Sequence, residues 1–404
     1  MHSSEIFDDP IDRTLFEIAL RIQLPPSKHR LACDRYEAVA KYVEREGSLL
    51  SGKIARFYPQ GSMAIGATIS ARGREEEYDI DVVAELLFPR GSDPARVLDT
   101  LFVAIRGERD SRYYRMVKRR TRCVTIYYED GMHLDITPVV LIPDRVERTS
   151  ELFHDDPDEP AGSAEILAMN AYGFCELFKL STKDTTKFGK AYATETHARE
   201  IRADAELEEV DPQEDPAYKS SDVVALQLIK RFRNIRYIKR EGRTPPSILL
   251  SKYVSDAGQQ SESILEALEH HAKAMLRKLM QADSSGVLVH ESNPSCSEDC
   301  FTDRWPLNLR NQRQFLEDLS DLVETLDRLR RGNVSVSEIQ SDLIELFGET
   351  PVKPAIKAAQ EQFGAASRVG GTRHSVNRGI VFGGSANSRV ARSSTNMGSA
   401  LPAP

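Results

Sequence analysis

The stretch Tyr78-Asp79-Ile80-Asp81-Val82-Val83 constrains this chain more than any other. Its apolar residues repeat with the period of a strand, yet two carboxylates hold alternate positions. Residues two apart on a strand project to the same face, so Asp79 and Asp81 stand side by side, roughly 7 Å apart at Cα. Ile80 and Val82 then face a core. Two carboxylates that close repel, and burial raises the pKa of at least one. A cation between them removes the penalty, and magnesium, which takes one or two carboxylates with phosphate oxygens and water, suits the pair. An isolated D-x-D also occurs by chance on a solvated strand face, so the pair alone leaves both readings open.

Two further stretches narrow the choice. In "MHLDITPVV" Asp135 sits on a second strand, with Leu134 and Ile136 facing the other way. A third carboxylate on a neighbouring strand would complete a two-metal site, in which ions roughly 4 Å apart activate a hydroxyl and stabilise the leaving oxygen. In "QGSMAIGAT" Gly61 permits a tight turn and Ser62 stands where a short helix could begin. The Ser62 hydroxyl and the backbone N–H groups there would cradle the phosphates of a nucleotide. Gly-Ser alone reads as a plain loop; Gly-Ser, then D-x-D, then Asp is a specific order.

The rest of the chain supports a globular, largely helical protein. Of 404 residues, 40% are hydrophobic and 29% charged, enough apolar material for about two domains. The net charge of −8 argues against a protein that binds polyanions over its whole surface. Five cysteines (Cys33, Cys123, Cys175, Cys296, Cys300) form no disulfide framework. The N-terminus lacks a secretory signal, and no apolar run nears the roughly 20 residues of a membrane helix. The cytoplasm is the expected compartment.

Ile11, Leu15, Ile18 and Ile22 have helical spacing, as do Leu31, Tyr36, Val39 and Val43 behind a capping Ser27. Strands are predicted at "IARFY" and "YDIDVVAELLF", and a hairpin turning at Asp130-Gly131 in "TRCVTIYYEDGMHLDITPVVLI", with a helix at "DPARVLDTLFVAI". Beyond about residue 160 the period is helical: "SAEILAMNAYGFCELFKL", "SDVVALQLIKRFRNIRYIKRE", "ESILEALEHHAKAMLRKLMQ" and "NQRQFLEDLSDLVETLDRLRR" each read as a full helix. "SVSEIQSDLIELF" reads as the last one, opened by a Ser-x-x-Glu capping box, Ser335 to Glu338 or with Ser337 nearby. "ELEEVDPQEDP" is an acidic loop. From about Pro351 the chain is rich in Gly, Ser, Ala, Asn and Arg and reads as a flexible basic tail.

The string "YPQGSMAIGA…YDIDVV…HLDITPVV" resembles the polymerase-β-like nucleotidyltransferases, and within them the bacterial cGAS/DncV-like enzymes (CD-NTases) of CBASS anti-phage defence. "LQLIKRFRN", "PPSILLSKYV" and "NPSCSEDCFTDRW" are similar to segments of that family's second domain, so the likeness spans about residues 10 to 348. One departure is Ala67, where relatives usually carry Thr; here Thr68 follows one place later, which puts the loop's hydroxyl contact in question. The resemblance implies an α+β fold: a nucleotidyltransferase core of mixed sheet and helices at 51–160, a helical second domain at 161–348, N-terminal helices at 1–50 packing on both lobes, and the tail at 349–404.

The resemblance also implies roles. Asp79 and Asp81 would bind two magnesium ions (or manganese), and Asp135 would ligate one and help deprotonate the attacking ribose hydroxyl. Ser62 would hold the donor triphosphate in a loop shaped by Gln60 and Gly61. Lys230 would clamp phosphate, against the alternative of a solvated helix face. Ser247 would contact the nucleotide, with a simple helix cap as the competing reading, and Asp303 is a weaker candidate.

The implied activity is the joining of nucleoside triphosphates, ATP with GTP or another, into a cyclic di- or trinucleotide messenger with release of pyrophosphate. The tail and the "NP…W" region look most like clade D members, some of which make adenine-rich cyclic trinucleotides. The alternative is an RNA- or protein-directed transferase, such as a tailing enzyme or an AMP-transferring toxin. The tail would be engaged by an accessory protein of ubiquitin-transfer or HORMA type, on a monomer needing no nucleic acid and no membrane. The basic run Arg106–Arg122 is compatible with a nucleic-acid footprint or a solvated surface. His290, Cys296 and Cys300 invite zinc but show no fourth ligand.

Overall fold

The computed structural model describes residues 9–70, 78–159, 163–183, 186–203, 219–258, 261–332, 334–368, 372–375 and 379–382. Two hydrophobic cores organise them. The first lies around a seven-stranded mixed sheet, built from β1 (Ile54–Pro59), β2 (Tyr78–Leu86), β3 (Val117–Arg119), β4 (Val124–Tyr127), β5 (Met132–Leu141), β6 (Ser150–His154) and β7 (Glu165–Met169) in the path β1-β2-β5-β4-β3. The far half of β5 pairs with β6, which pairs with β7. Among the described strands only β2 and β5 run parallel. The period-2 pattern sets the faces: Tyr78, Ile80, Val82, Ala84 and Leu86 join this core beneath α2 (Pro26–Val43) and α4 (Pro94–Arg106). The β4–β5 hairpin turns at Asp130-Gly131, with Gly131 at φ +83°.

The second core is helical. It gathers α1 (Pro10–Ile22) with α5 (Ala171–Ser181), α6 (Thr186–Ala203), α7 (Ser221–Tyr237), α8 (Ser247–Ala257), α9 (Ile264–Ser284), α10 (Leu309–Arg331), α11 (Val336–Phe347) and α12 (Glu349–Arg368). A four-residue helix, α3 (Gly61–Ala64), follows β1, and β8 (Ser292–Asn293) with β9 (Cys296–Cys300) forms a small ribbon ahead of α10. α1 lends Leu15, Phe16, Ile18 and Ile22 to the helical core, whereas Ala32, Val39 and Val43 of α2 belong to the sheet's core. No helix among the described residues is long and apolar enough to cross a membrane.

Several expectations are corrected. The stretch from Ser163 to Leu180 is not one helix: Glu165–Met169 is strand β7, so the sheet runs past residue 160. The break is Asn170, whose side-chain oxygen accepts from Gly173 N at 2.7 Å and starts α5 afresh. Helix α2 starts at Pro26 behind Pro25, with no side-chain cap, because proline already holds the φ of a first turn. The Ser335–Glu338 capping box is present, yet α11 is not last. α12 follows, and Val352, Ala355 and Ala359, spaced by three and four, are buried. The tail therefore does not begin at 349.

Thr372–Ser375 and Gly379–Phe382, which include Ile380, Val381 and Phe382, pair as an antiparallel ribbon, β10 and β11. The remainder of the tail and the acidic loop 206–216 lie outside the described residues. Much of the basic run is engaged within the protein. Arg106 lies over the Tyr114 ring, Arg112 over Tyr113, and Arg119 pairs with Asp99 and Asp155.

Candidate active site

The parallel pairing of β2 with β5 places Asp81 directly beside Asp135 and Asp79 beside His133. Three carboxylates thus stand on one face of two adjacent strands. Asp79 is the most open, its side chain 62% exposed, with Oδ1 3.3 Å from His133 Nδ1. Asp135 turns inward, and its Oδ1 is buried with no partner. Asp81 lies between them. Burial, then the charges of Asp135 and Asp79, push its carboxyl up to about 7. Asp135 is likewise raised, chiefly by burial, against a hydrogen bond from Thr125 that lowers it.

Gly61 makes that approach possible. Its φ is +57°, and a Cβ there would lie 2.6 Å from Asp81 Oδ2. Gln60 binds the loop to the strand, its N–H donating to the Asp81 carbonyl at 2.9 Å and its Nε2 to Thr137 Oγ1 at 3.2 Å. Ser62 follows in α3, and the Thr68 hydroxyl donates to Ser62 Oγ at 3.3 Å. A hydroxyl one place later than expected thus meets the loop, because the chain curls back through Ala67 N to Ser62 O at 2.8 Å.

The loop is also gripped from the helical lobe. Gln227 Nε2 donates to Thr68 O at 3.0 Å and Lys230 Nζ to Ala67 O at 2.9 Å, both from one face of α7. The next residue, Arg231, donates to Phe347 O at 2.9 Å, where α11 ends and α12 begins. Lys230 is 3% exposed. Burial, and then Arg233 beside it, pull its ammonium down to about 7, against the attraction of Asp81. The solvated-face reading of Lys230 is thereby excluded. Ser247 is not a cap either: Pro246 holds that position, and Ser247 Oγ accepts from both terminal nitrogens of Arg233 at 3.2 Å.

Gly61, Ser62, Asp79, Asp81, Asp135, Lys230 and Ser247 line a single cavity of about 590 Å³. Arg233 lines it too, and sequence reading passed over it. Its signal was the spacing of three from Lys230, which puts both cations on one helix face while Arg231 points elsewhere. A second cavity, also about 590 Å³, adjoins the first and shares Gly61, Asp81, Phe174 and Ile248. Gln60 and Asp303 fall on this one, together with Arg122, Arg243 and Arg304. Arg122 Nη2 donates to Asp303 Oδ2 at 2.7 Å. The second cavity was not legible, because its wall joins a strand end, a loop and the β8–β9 ribbon.

His290 faces Cys300 at 3.8 Å, whereas Cys296 faces Glu298 at 3.7 Å. Among the described residues no three acidic, imidazole or thiol side chains, the aspartate trio included, are drawn together as a ready-made metal site. The aspartate trio is open on its Asp79 side, which leaves room for ligands that the protein does not itself supply.

Comparison with known proteins agrees with this geometry. Residues 12–151 match the Second Messenger Oligonucleotide or Dinucleotide Synthetase domain (SMODS). The cyclic dinucleotide synthase CdnG of Bradyrhizobium diazoefficiens is 39% identical over 360 residues, covering 89% of this chain and 85% of CdnG. A c-di-GMP synthase of Roseivirga ehrenbergii is 25% identical over 360 residues, 87% of this chain and 88% of that protein. The solved structure of the Bradyrhizobium CdnG in complex with GTP superposes with a TM-score of 0.77 at 38% identity, covering 88% of this chain and 99% of that one. The family is one of nucleotidyltransferases, a class that generally uses divalent metal ions. The chain belongs to the bacterial cGAS-like nucleotidyltransferases (CD-NTases), and it is an enzyme that builds cyclic oligonucleotides from nucleoside triphosphates.

Proposed function

We propose that the protein joins two nucleoside triphosphates, GTP among them, into a cyclic dinucleotide. One observation carries the reading: three carboxylates line one nucleotide-sized cavity, and Asp81 among them also lines a second that adjoins it. The donor would occupy the first cavity, its phosphates against Ser62, Lys230 and Arg233. The acceptor would occupy the second, its ribose hydroxyl directed at the donor's α-phosphate. The hydroxyl oxygen bonds that phosphorus, the bond to the β-phosphate breaks, and pyrophosphate leaves; a second round closes the ring. Asp135 would help remove the hydroxyl proton. The relatives favour a dinucleotide with guanine over an adenine-rich trinucleotide. We infer the cytoplasm, where nucleoside triphosphates are held, as the compartment.

The residues fit a divalent cation, magnesium or manganese: Asp135 has an orphaned buried oxygen, and burial, followed by the charges of Asp135 and Asp79, raises Asp81. Asp79, Asp81 and Asp135 would hold it. When bound, it neutralises phosphate charge and eases loss of the hydroxyl proton. A cation must displace the proton that Asp81 keeps below about pH 7. Millimolar Mg²⁺ should therefore raise the melting temperature more at pH 8 than at pH 5.5. Equal shifts at the two values would contradict this assignment.

Incubation with GTP, ATP and Mg²⁺, without RNA or a protein acceptor, should yield a phosphatase-resistant product with the mass of a cyclic dinucleotide. Absence of any cyclic product from every pair of common nucleotides would overturn the proposal.

For an accessory protein, we place the handle after Arg368, because α12 is packed against the helical core. Deletion of residues 369–404 should leave synthesis in vitro intact. Deletion from 350 onward should lower the melting temperature and remove synthesis, since burial of Val352 alone is worth about 1.5–3 kcal/mol. A melting curve and a rate on both truncations decide the matter.

A further inference from the structure

The second cavity holds a set of polar groups that the joining chemistry does not use. Asp299, on β9, keeps its Oδ2 occupied: Asn170 N donates to it at 3.2 Å and Asn293 Nδ2 at 2.9 Å. Asn293 Nδ2 also donates to the Asn170 carbonyl at 2.8 Å, so the ribbon, the start of α5 and the carboxylate are fixed together. The other oxygen, Oδ1, has no partner among the described residues, and Asp299 belongs to the cavity wall. Burial raises its pKa, as expected where a carboxylate is held out of water beside an unfilled space.

Arg304 forms another part of the same wall. Its Nη2 donates to His154 Nδ1 at 3.1 Å, and Arg122 Nε donates to the same nitrogen at 3.3 Å. One imidazole nitrogen thus meets two guanidinium groups; Arg304 Nε lies 3.8 Å from Asp303 Oδ2, and its Nη1 makes no hydrogen bond among the described residues. Trp305, 1% exposed, adds an indole N–H with no partner. A rigid carboxylate acceptor, a rigid guanidinium fork and a buried unsatisfied donor in one wall make a recognition surface, since buried polar groups are otherwise paired.

Guanine is the base whose edges complement that wall. Its N1–H and 2-amino groups both donate and suit a carboxylate; its O6 and N7 both accept and suit an arginine fork. Adenine offers a lone pair at N1 beside its one amino group, and that amino group takes the place of O6, so both contacts would be poorer. Resting on the two-nucleotide reading above, we propose that the second cavity selects a guanine-bearing acceptor, with Asp299 Oδ1 accepting from the N1–H and 2-amino edge and the Arg304 guanidinium donating to O6 and N7. Asp299 and Arg304 are then specificity-determining residues, distinct from the three aspartates.

The test uses the full-length protein with equimolar GTP and ATP and Mg²⁺, reading product composition by mass spectrometry and kcat/KM for each nucleotide. Wild type should incorporate guanine. Asp299→Asn, which turns an amide N–H₂ toward the base while its oxygen keeps the two existing bonds, should lower the preference for GTP over ATP roughly 10- to 100-fold, the range one bidentate base contact supports. Arg304→Gln tests the other edge and should lower the same ratio even if the asparagine variant melts early. An unchanged ratio in folded variants, or a wild-type cyclic product without guanine, overturns the inference. Absence of any cyclic product from wild type instead overturns the proposed function.

Discussion

Asp81→Asn is expected to lower nucleotide joining by about 10³-fold or more, a loss of roughly 4 kcal/mol of transition-state stabilisation, while making the nucleotide-free protein more stable at pH 8. The two effects share a cause. In the folded chain Asp81 is held up at about 7 by burial and by the charges of Asp135 and Asp79. A folded pKa above the unfolded value of roughly 4 means that the unfolded state releases its proton first as pH rises. Stability is therefore lost between about pH 4 and pH 7 and stays lost above. The asparagine variant carries no such penalty, so its melting temperature should exceed wild type at pH 8 and match it near pH 4. Asp135→Ala should lose activity to a similar degree. Wild-type turnover in either variant would remove the strand pair from the chemistry, and collapse of the fold would make the carboxylates structural.

The second large effect is expected at Gly61. Alanine there must hold a φ of +57°, a cost of about 1–2 kcal/mol for a residue with a Cβ, and must also displace the Asp81 carboxylate, whose Oδ2 would lie 2.6 Å from the new atom. Activity should fall at least about 100-fold, as an ångström of misplacement at a reacting centre can cost. Gly52 separates the two causes. Its φ is +66°, and nothing lies within 4 Å of the Cβ position. Gly52→Ala should show the strain in its melting temperature and keep its rate. Equal activity losses in both variants would assign the Gly61 effect to strain, not to the carboxylate.

What was legible in the chain follows the range of the forces involved. The faces of β2 and β5, the turn at Gly131 and the box at Ser335 are set by neighbours within four residues, and each stands where its residues indicate. The order Gly-Ser, D-x-D, Asp was readable for the same reason. The parallel register that puts Asp81 against Asp135 was not, since it depends on how α4 crosses over between the strands. Helix α12 was hidden by composition: Pro351, Pro354 and small residues read as loop, but Val352, Ala355 and Ala359 form a stripe that packs in the core. Likewise α6 lacks a marked apolar period, and Phe188 and Tyr192, both fully buried, with Ala191 tie it to the core. Asp299 and Arg304 meet their cavity only after the ribbon has folded back on α5.

The consecutive residues Lys230 and Arg231 hold opposite ends of a mechanical linkage. One grips the carbonyl of Ala67 in the loop that carries Ser62, and the other grips the carbonyl of Phe347 at the root of the C-terminal helix. The root of α12 and the loop of Ser62 are thus anchored, each through one side chain, to neighbouring positions of the single helix α7. A nucleotide bound in the first cavity and a partner bound at the end of the chain would therefore bear on adjacent residues of α7, and any coupling between them would be equal in both directions.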